Sequence, residues 1–312
     1  MAIYLNTFLP DGNAAEPSEL VSEGLTKSEG AHFSPYQLVT AAAIRSAFRL
    51  RVPFTHKGTY GHALIVAGAI NTMGAAILSN AACMYGGVGL STACIPDTGL
   101  AALNTAFPEV MFLSRADFHV QQEFDQYKAI AVGPGLGKSD DALGIVKQLL
   151  DLKRSLVIDA DGLQLLAGSE ELMQLVPEGS ILTPHVKEFD RLFGEHSSWK
   201  ARLDTGLKEA KRFKIIIVLK NEFTFIIDPQ GQVLINPTGN PAMAQGGMGD
   251  VLTGLITAYV AQGYDARDAA MLACYFHGLA GDELAESMFN VNALQLAAQV
   301  PKSIKKMISV KS

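Results

Sequence analysis

Short apolar runs and longer helical periods alternate along most of this chain. HALIVAG, GLSTACIP, AIAVGPG, SLVIDADG, SILTPH and IIIVLKN are each rich in branched or small apolar residues and end near Gly, Pro, Asp, His or Asn. Such runs read as buried strands. Between them lie stretches of helical length, among them MGAAILSNAACMYGG, DDALGIVKQLLDLK and LDTGLKEAKRF. TFIIDPQGQVLIN reads as a hairpin turning over residues 229–231. Two helices, over residues 251–262 and around DAAMLACYFHGLAGDELA, are expected to close the chain. Ser34 as N-cap and Pro35 at the first helical position predict a short helix in SPYQLVTAAAIRSAF. Apolar strands separated by helices imply an α/β fold, with a central, mostly parallel sheet and helices on both faces. Residues 1–33 lack periodicity and are rich in Gly, Pro, Ser, Asn and Glu, which reads as a flexible arm or the remnant of a neighbouring module. Residues 34–312 form the expected functional domain.

Composition narrows the function classes. With 48% hydrophobic and 18% charged residues over 312 positions, the chain has ample material for a core. A net charge of -6 argues against nucleic-acid binding, so a phosphate-bearing ligand must be held locally by main-chain N–H groups and a few lysines. Cys83, Cys94 and Cys274 are too scattered for a disulfide framework or a structural zinc site and suit a reducing compartment. Residues 58–96 contain no Asp, Glu, Lys or Arg, but Asn71, Asn80 and many glycines interrupt them, which fits buried strand–helix–strand better than a membrane span. The first residues lack a signal-peptide pattern, and a cytoplasmic location is expected.

Ligands of parallel α/β sheets bind beyond the carboxyl ends of the strands, and the unusual residues collect there. Gly133-Pro134-Gly135-Leu136-Gly137-Lys138-Ser139 is one residue short of a P-loop and reads as a glycine turn admitting a ligand to the backbone. Asp159 and Asp161 can hold Mg²⁺ through water or simply form the turn. His185, after a proline-fixed turn, is placed for a substrate, while Glu188 complements the dipole of the following helix. The segment NPTGNPAMAQGGMGDVLTGLITAYVAQG has Asp250 as its one charged residue, behind Gly246, Gly247 and Gly249 at a helix start. Asp there can cap the helix. It can also take a proton from a hydroxyl while the free N–H groups hold a transferred phosphoryl group.

On these motifs the chain resembles the ribokinase-like superfamily, whose GxGD turn carries the catalytic base. More closely it resembles the ADP/ATP-dependent NAD(P)H-hydrate dehydratases, the C-terminal module of the bifunctional NAD(P)H-hydrate repair enzymes. The likeness runs from about residue 34 to the end, through HKGTYGHALIVAG, MGAAILSNAACMYGGVGL, FPEVM, AVGPGLG, VIDADGL, ILTPHVKEF, VLKNEFTFI and NPTGNPAMAQGGMGDVLTG. The resemblance implies that a nucleotide phosphorylates the ring hydroxyl of NADHX or NADPHX in the S form. Phosphate then leaves and NADH or NADPH is restored. Bacterial members generally use ADP, eukaryotic ones ATP, with Mg²⁺.

By motif, Asp250 is the implied base, with Gly247 and Gly249 at the phosphoryl group. Ala75, Gly135, His185 and Asp250 are the implied hydrate site. Lys220, Asn221, Glu222, Phe223, Thr224 and Gly249 are implied to bind the adenine nucleotide, with Lys57 and Asn240 as further candidates. Asn221 replaces a common glycine, Val186 and Lys187 replace a proline and a glycine, and Met248 stands where threonine is commoner. The family also implies a homo-oligomer, commonly a tetramer, and an NAD(P)H-hydrate epimerase as functional partner. Two alternatives remain open: a kinase of a small vitamin-precursor alcohol on the same fold, and a nucleotide-binding regulator without chemistry.

Overall fold

The computed structural model describes Phe8, residues 35–118 and residues 124–309. Its strands are β1 (Tyr36–Leu38), β2 (His62–Val66), β3 (Leu90–Ile95), β4 (Met111–Ser114), β5 (Ala129–Val132), β6 (Val157–Ile158), β7 (Ile181–Leu182), β8 (Ile216–Leu219), β9 (Thr224–Ile227) and β10 (Val233–Asn236). They join in one sheet in the order β1-β10-β9-β8-β7-β6-β5-β2-β3-β4. β9 runs antiparallel to β8 and β10, and every other pairing is parallel. The parallel sheet and the β9–β10 hairpin are as the periodicity predicts.

After β2 the chain builds β3 and β4 outward on one side, then returns to lay β5 along the other edge of β2. From β5 it proceeds through β6, β7 and β8 in the opposite direction. The carboxyl ends of β2 and β5 therefore flank a topological switch point, where open α/β sheets bind ligands.

The helices are α1 (Ala41–Ala47), α2 (Met73–Tyr85), α3 (Leu100–Ala106), α4 (Asp140–Asp151), α5 (Ala160–Ala167), α6 (Glu170–Gln174), α7 (Val186–Phe193), α8 (Trp199–Phe213), α9 (Met248–Ala261), α10 (Ala266–Ala285) and α11 (Ala293–Ser309). Alternation within the strands divides the core. Ala63 and Ile65 of β2 join the layer of Ala82, Leu255, Phe276 and Leu296 from α2, α9, α10 and α11. Leu64 and Val66 join the layer of Leu149, Leu163 and Leu203 from α4, α5 and α8. Both faces are covered, which explains why the strands read as continuous apolar runs.

Three expectations need correction. Ser34 lies outside the described residues, and Pro35 opens no helix: Tyr36–Leu38 pairs with Val233, Leu234 and Ile235 of β10 as an edge strand. The helix begins at Ala41, where the Thr40 side chain accepts from Ala43 N. Sheet pairing outweighed the local helix signal. Secondly, α9 starts at Met248 and not at residue 251, placing Gly249 and Asp250 inside the first turn. Thirdly, a further helix, α11, follows the two expected to close the chain. The N-terminal arm, residues 1–33, lies outside the described residues apart from Phe8. No described helix is long and apolar enough to cross a membrane.

Candidate active site

The GGMGD turn is built by Gly247, which caps α9 at φ +90, a left-handed conformation that favours glycine. A Cβ there would lie 2.6 Å from Leu78 Cδ1 of α2 and 3.0 Å from Ala293 Cβ of α11. Three helices thus meet at this one position. No side chain caps α9. Its first N–H groups have no intrahelical acceptor and remain available to an anion.

Asp250 projects from this first turn without making a side-chain hydrogen bond among the described residues. The capping role, open on sequence grounds, is not the one it plays. Burial, then the negative charge of Asp159, raises its pKa from 3.8 to about 7; Lys220 acts in the opposite direction and Asp161 adds a smaller upward push. A carboxyl poised near neutrality is suited to general-base work.

Asp159 ends β6 and is 2% exposed. Its Oδ1 accepts from Lys220 Nζ at 2.9 Å and its Oδ2 from Thr253 Oγ1 of α9 at 2.6 Å. Burial alone would push its carboxyl upward, but Lys220 and hydrogen bonds from Thr253, Lys220 and Thr183 outweigh this and hold it below the ordinary value. The pair lies directly beneath the GGMGD turn: a Cβ on Gly249 would sit 3.3 Å from Lys220 Nζ and 3.7 Å from Asp159 Oδ2. Lys220 therefore has a structural counter-ion as well as a face toward the site.

Asp161 has a different task. Its Oδ2 accepts from Gly137 N at 2.9 Å, tying the DADG turn to the GPGLG loop. The two turns press together so closely that a Cβ on Gly133, at φ +127, would fall 1.9 Å from Asp159 O. Among the described residues no three His, Cys, Asp or Glu side chains converge on a metal site.

Ala75 and Gly135 adjoin at the switch point. A Cβ on Gly135 would come within 2.9 Å of Ala75 Cβ, and Thr72 Oγ1 donates to Gly135 O at 2.6 Å. Leu78, the neighbour of Gly247, follows Ala75 by less than one turn of α2, so these residues reach the GGMGD turn along one helix face. His185 caps α7: its Nδ1 accepts from Lys187 N at 3.1 Å and Glu188 N at 3.3 Å, while Glu188 Oε2 accepts from His185 N at 2.9 Å. Half of its side chain stays exposed, and its backbone bridges to Lys220. Its Nε2 lies 3.5 Å from Glu188 Oε1, so the ring carries a structural role at both nitrogens while half of the side chain faces solvent.

Lys220, Asn221, Glu222, Phe223, Thr224 and Gly249 all line one cavity of about 480 Å³, and Asn240 lines it too. Lys57 does not join them. It packs with Gly61 and Gly89 near Ala261, at the far end of α9, about 18 Å of helix from Gly249.

The sequence reading missed His277. From α10 it lines the same cavity, and its Nε2 lies 3.0 Å from Met248 O in the GGMGD turn. Burial depresses its pKa to about 4, so the ring is neutral and Nε2–H donates to that carbonyl. A single histidine in an apolar helix offered no signal for this role.

Residues 63–302 match the model of the NAD(P)H-hydrate dehydratase family. The ADP-dependent (S)-NAD(P)H-hydrate dehydratase of Staphylococcus aureus is 33% identical over 82% of this chain and 92% of its own. The bifunctional NAD(P)H-hydrate repair enzyme of Moorella thermoacetica is 37% identical over 81% of this chain, which spans only 50% of that relative's length. The structure of the ADP/ATP-dependent NAD(P)H-hydrate dehydratase from Bacillus subtilis, co-crystallized with ATP/Mg²⁺, superposes with a TM-score of 0.77 at 28% identity. That match covers 86% of this chain and 97% of the other.

Proposed function

The chain belongs to the NAD(P)H-hydrate dehydratase family, and from that premise we propose that it repairs the S form of NADHX or NADPHX with ADP or ATP as phosphoryl donor. The observation that carries this reading is Asp250: a carboxyl without a hydrogen-bond partner among the described residues, raised to about 7, in the first turn of a helix with open N–H groups. Asp250 accepts the proton of the ring hydroxyl as its oxygen attacks the terminal phosphorus. The bond from phosphorus to the nucleotide's bridging oxygen breaks, and ADP leaves as AMP. N–H groups at Gly247 and Gly249 and the Lys220 ammonium stabilise the charge on the moving phosphoryl group. The ring C–O bond then breaks with loss of a proton from the adjacent carbon. Inorganic phosphate departs and the double bond returns.

The 480 Å³ cavity beside Gly249 supports a nucleotide site formed by Lys220, Asn221, Glu222, Phe223 and Thr224. Ala75, Gly135 and His185 would hold the hydrate in front of Asp250. Mg²⁺ belongs to the proposal as a charge carried on the nucleotide. Asp159 is engaged by Lys220 and Thr253, and the described residues provide no three-ligand cage. This donor set fits an ion bound through phosphates and water, with Asp161 reaching it through water. A homotetramer, a cytoplasmic location and cooperation with an epimerase that supplies the S form complete the reading. Light scattering at four times the chain mass would bear out the assembly.

The test is incubation with NADHX, Mg²⁺ and either ADP or ATP. Recovery of reduced-nicotinamide absorbance with stoichiometric phosphate release is expected. No recovery with either nucleotide, or a stable phosphoester product, would replace the dehydratase by a small-alcohol kinase.

A further inference from the structure

The N–H of Gly249, open to the phosphoryl site, shares its peptide unit with the carbonyl of Met248. In the first turn of α9 that N–H has no intrahelical acceptor. The carbonyl is held from the opposite side: His277 Nε2 reaches it at 3.0 Å, from 29 positions further along the chain. A carbonyl oxygen can only accept, so the contact fixes the tautomer and Nε2 carries the hydrogen. His277 also lines the 480 Å³ cavity beside Gly249. Imidazole, Met248 carbonyl and Gly249 N–H thus form one chain of polar groups leading to the nucleotide site.

The helix that carries His277 is locked onto the loop entering α9. A Cβ on Gly278 would fall 2.2 Å from Thr238 Oγ1, and one on Gly281 would fall 2.0 Å from Met243 Sδ. Glycine at both positions lets α10 lie this close to the loop. Asn236 Nδ2 donates to Cys274 O at 3.3 Å before His277, and Gly239 N donates to Asp282 Oδ2 at 3.1 Å after it. The ring's position is therefore set by the packing of its helix, and its bond to Met248 transmits that position to the GGMGD turn. Burial keeps the imidazole neutral, so the bond polarises the peptide without adding a mobile charge. A donor at the carbonyl end of a peptide draws electron density from its nitrogen and strengthens the N–H as a donor, by about 10–30% per bond. That gain matters most when charge accumulates on the group the N–H faces.

We propose that His277 is a positioning residue for phosphoryl transfer: it orients and polarises the Met248–Gly249 peptide so that the Gly249 N–H is aimed at the transferred group. It moves no proton and acts through the main chain. The proposal rests on the dehydratase reading for the reaction in which the effect is measured. A mere tie between α9 and α10 would stabilise the fold and leave the chemical step alone. His277 instead acts on a peptide whose other end faces the phosphoryl group, so its loss reaches the rate.

The test compares His277→Leu, which keeps similar bulk without a donor, with His277→Gln, which keeps a neutral N–H donor, in the full chain. With NADHX, Mg²⁺ and ADP, His277→Leu should lower kcat about tenfold while KM for ADP stays within about threefold, the split left by an interaction made mainly in the transition state. His277→Gln should recover kcat to within about threefold of the wild type. A lowered Tm with unchanged kcat in His277→Leu would reduce the residue to a structural tie and overturn the proposal, as would a Gln variant as slow as the Leu one. If His277→Leu does not fold, nitrogen NMR of the wild type near neutral pH decides: hydrogen on Nε2 with Nδ1 bare sustains the proposal, and the opposite tautomer ends it. Absence of NADHX turnover in the wild type would count against the dehydratase reading alone. The variants are then ranked by binding of AMP with vanadate, a mimic of the phosphoryl group in flight. Binding about tenfold weaker in His277→Leu, with AMP alone within about twofold, sustains the proposal. Equal affinities in all three proteins, or no vanadate-dependent binding to the wild type, would overturn it.

Discussion

Asp250→Asn should stabilise the protein at alkaline pH while removing its activity. The folded carboxyl has its pKa raised from 3.8 to about 7, chiefly by burial. A folded-state pKa above the unfolded one means that the native protein binds the proton more tightly. Stability contributed by the protonated form is thus complete below about pH 4, declines as pH rises, and is fully lost above about pH 7. Asn keeps the shape and discards the charge, so its advantage is absent at the acid end and largest at pH 8. Each tenfold change in proton affinity is worth about 1.4 kcal/mol, giving a ceiling of about 4 kcal/mol. Asp250 is only partly buried, and water screens part of this cost. An advantage of about 1–2 kcal/mol remains, or about 2–3 °C in Tm for a chain of this length. Thermal unfolding at pH 4 and pH 8, at constant ionic strength and without nucleotide, measures it. Equal offsets at the two pH values, or a variant less stable at pH 8, would refute the reasoning and make Asp250 a satisfied helix cap. The same variant should retain ADP binding and lose about 10²–10⁴ in turnover, as for a missing general base.

In the wild type, kcat/KM should fall below about pH 7 as Asp250 takes up its proton; Asp159→Asn, which removes a like charge and releases Lys220 from its partner, should move that acid limb to lower pH. An unmoved limb would detach Asp159 from the tuning of the base. Gly247→Ala forces a side chain into a left-handed turn 2.6 Å from Leu78 Cδ1 and should cost about 1–3 kcal/mol in chemical denaturation, with activity falling further than stability explains. Wild-type stability in that variant would mean the three-helix junction is slacker than its geometry implies.

The legible parts of this protein are those with a local cause. β2, β3, β5 and β8 were readable because strands buried on both faces are apolar without interruption. Edge strand β1 was not, since a three-residue strand carries little signal and its proline-led sequence also suits a helix start. GGMGD announced a glycine-built helix entrance, and KNEFT announced a strand end, so Asp250 and Lys220 could be singled out before any coordinates. The sequence could not say that Lys220 and Asp159, 61 positions apart, form an ion pair, or that Thr253 closes it from 94 positions beyond Asp159. Nor could it place His277 against Met248, or put the ends of β5 and β2 side by side at the switch point. Periodicity, turns and caps arise from neighbours along the chain, and sequence by itself determined them. Desolvation and Coulomb fields act through space between groups that folding brings together, so only the tertiary structure decided that the Asp250 carboxyl would be raised toward neutrality and left without a hydrogen bond among the described residues.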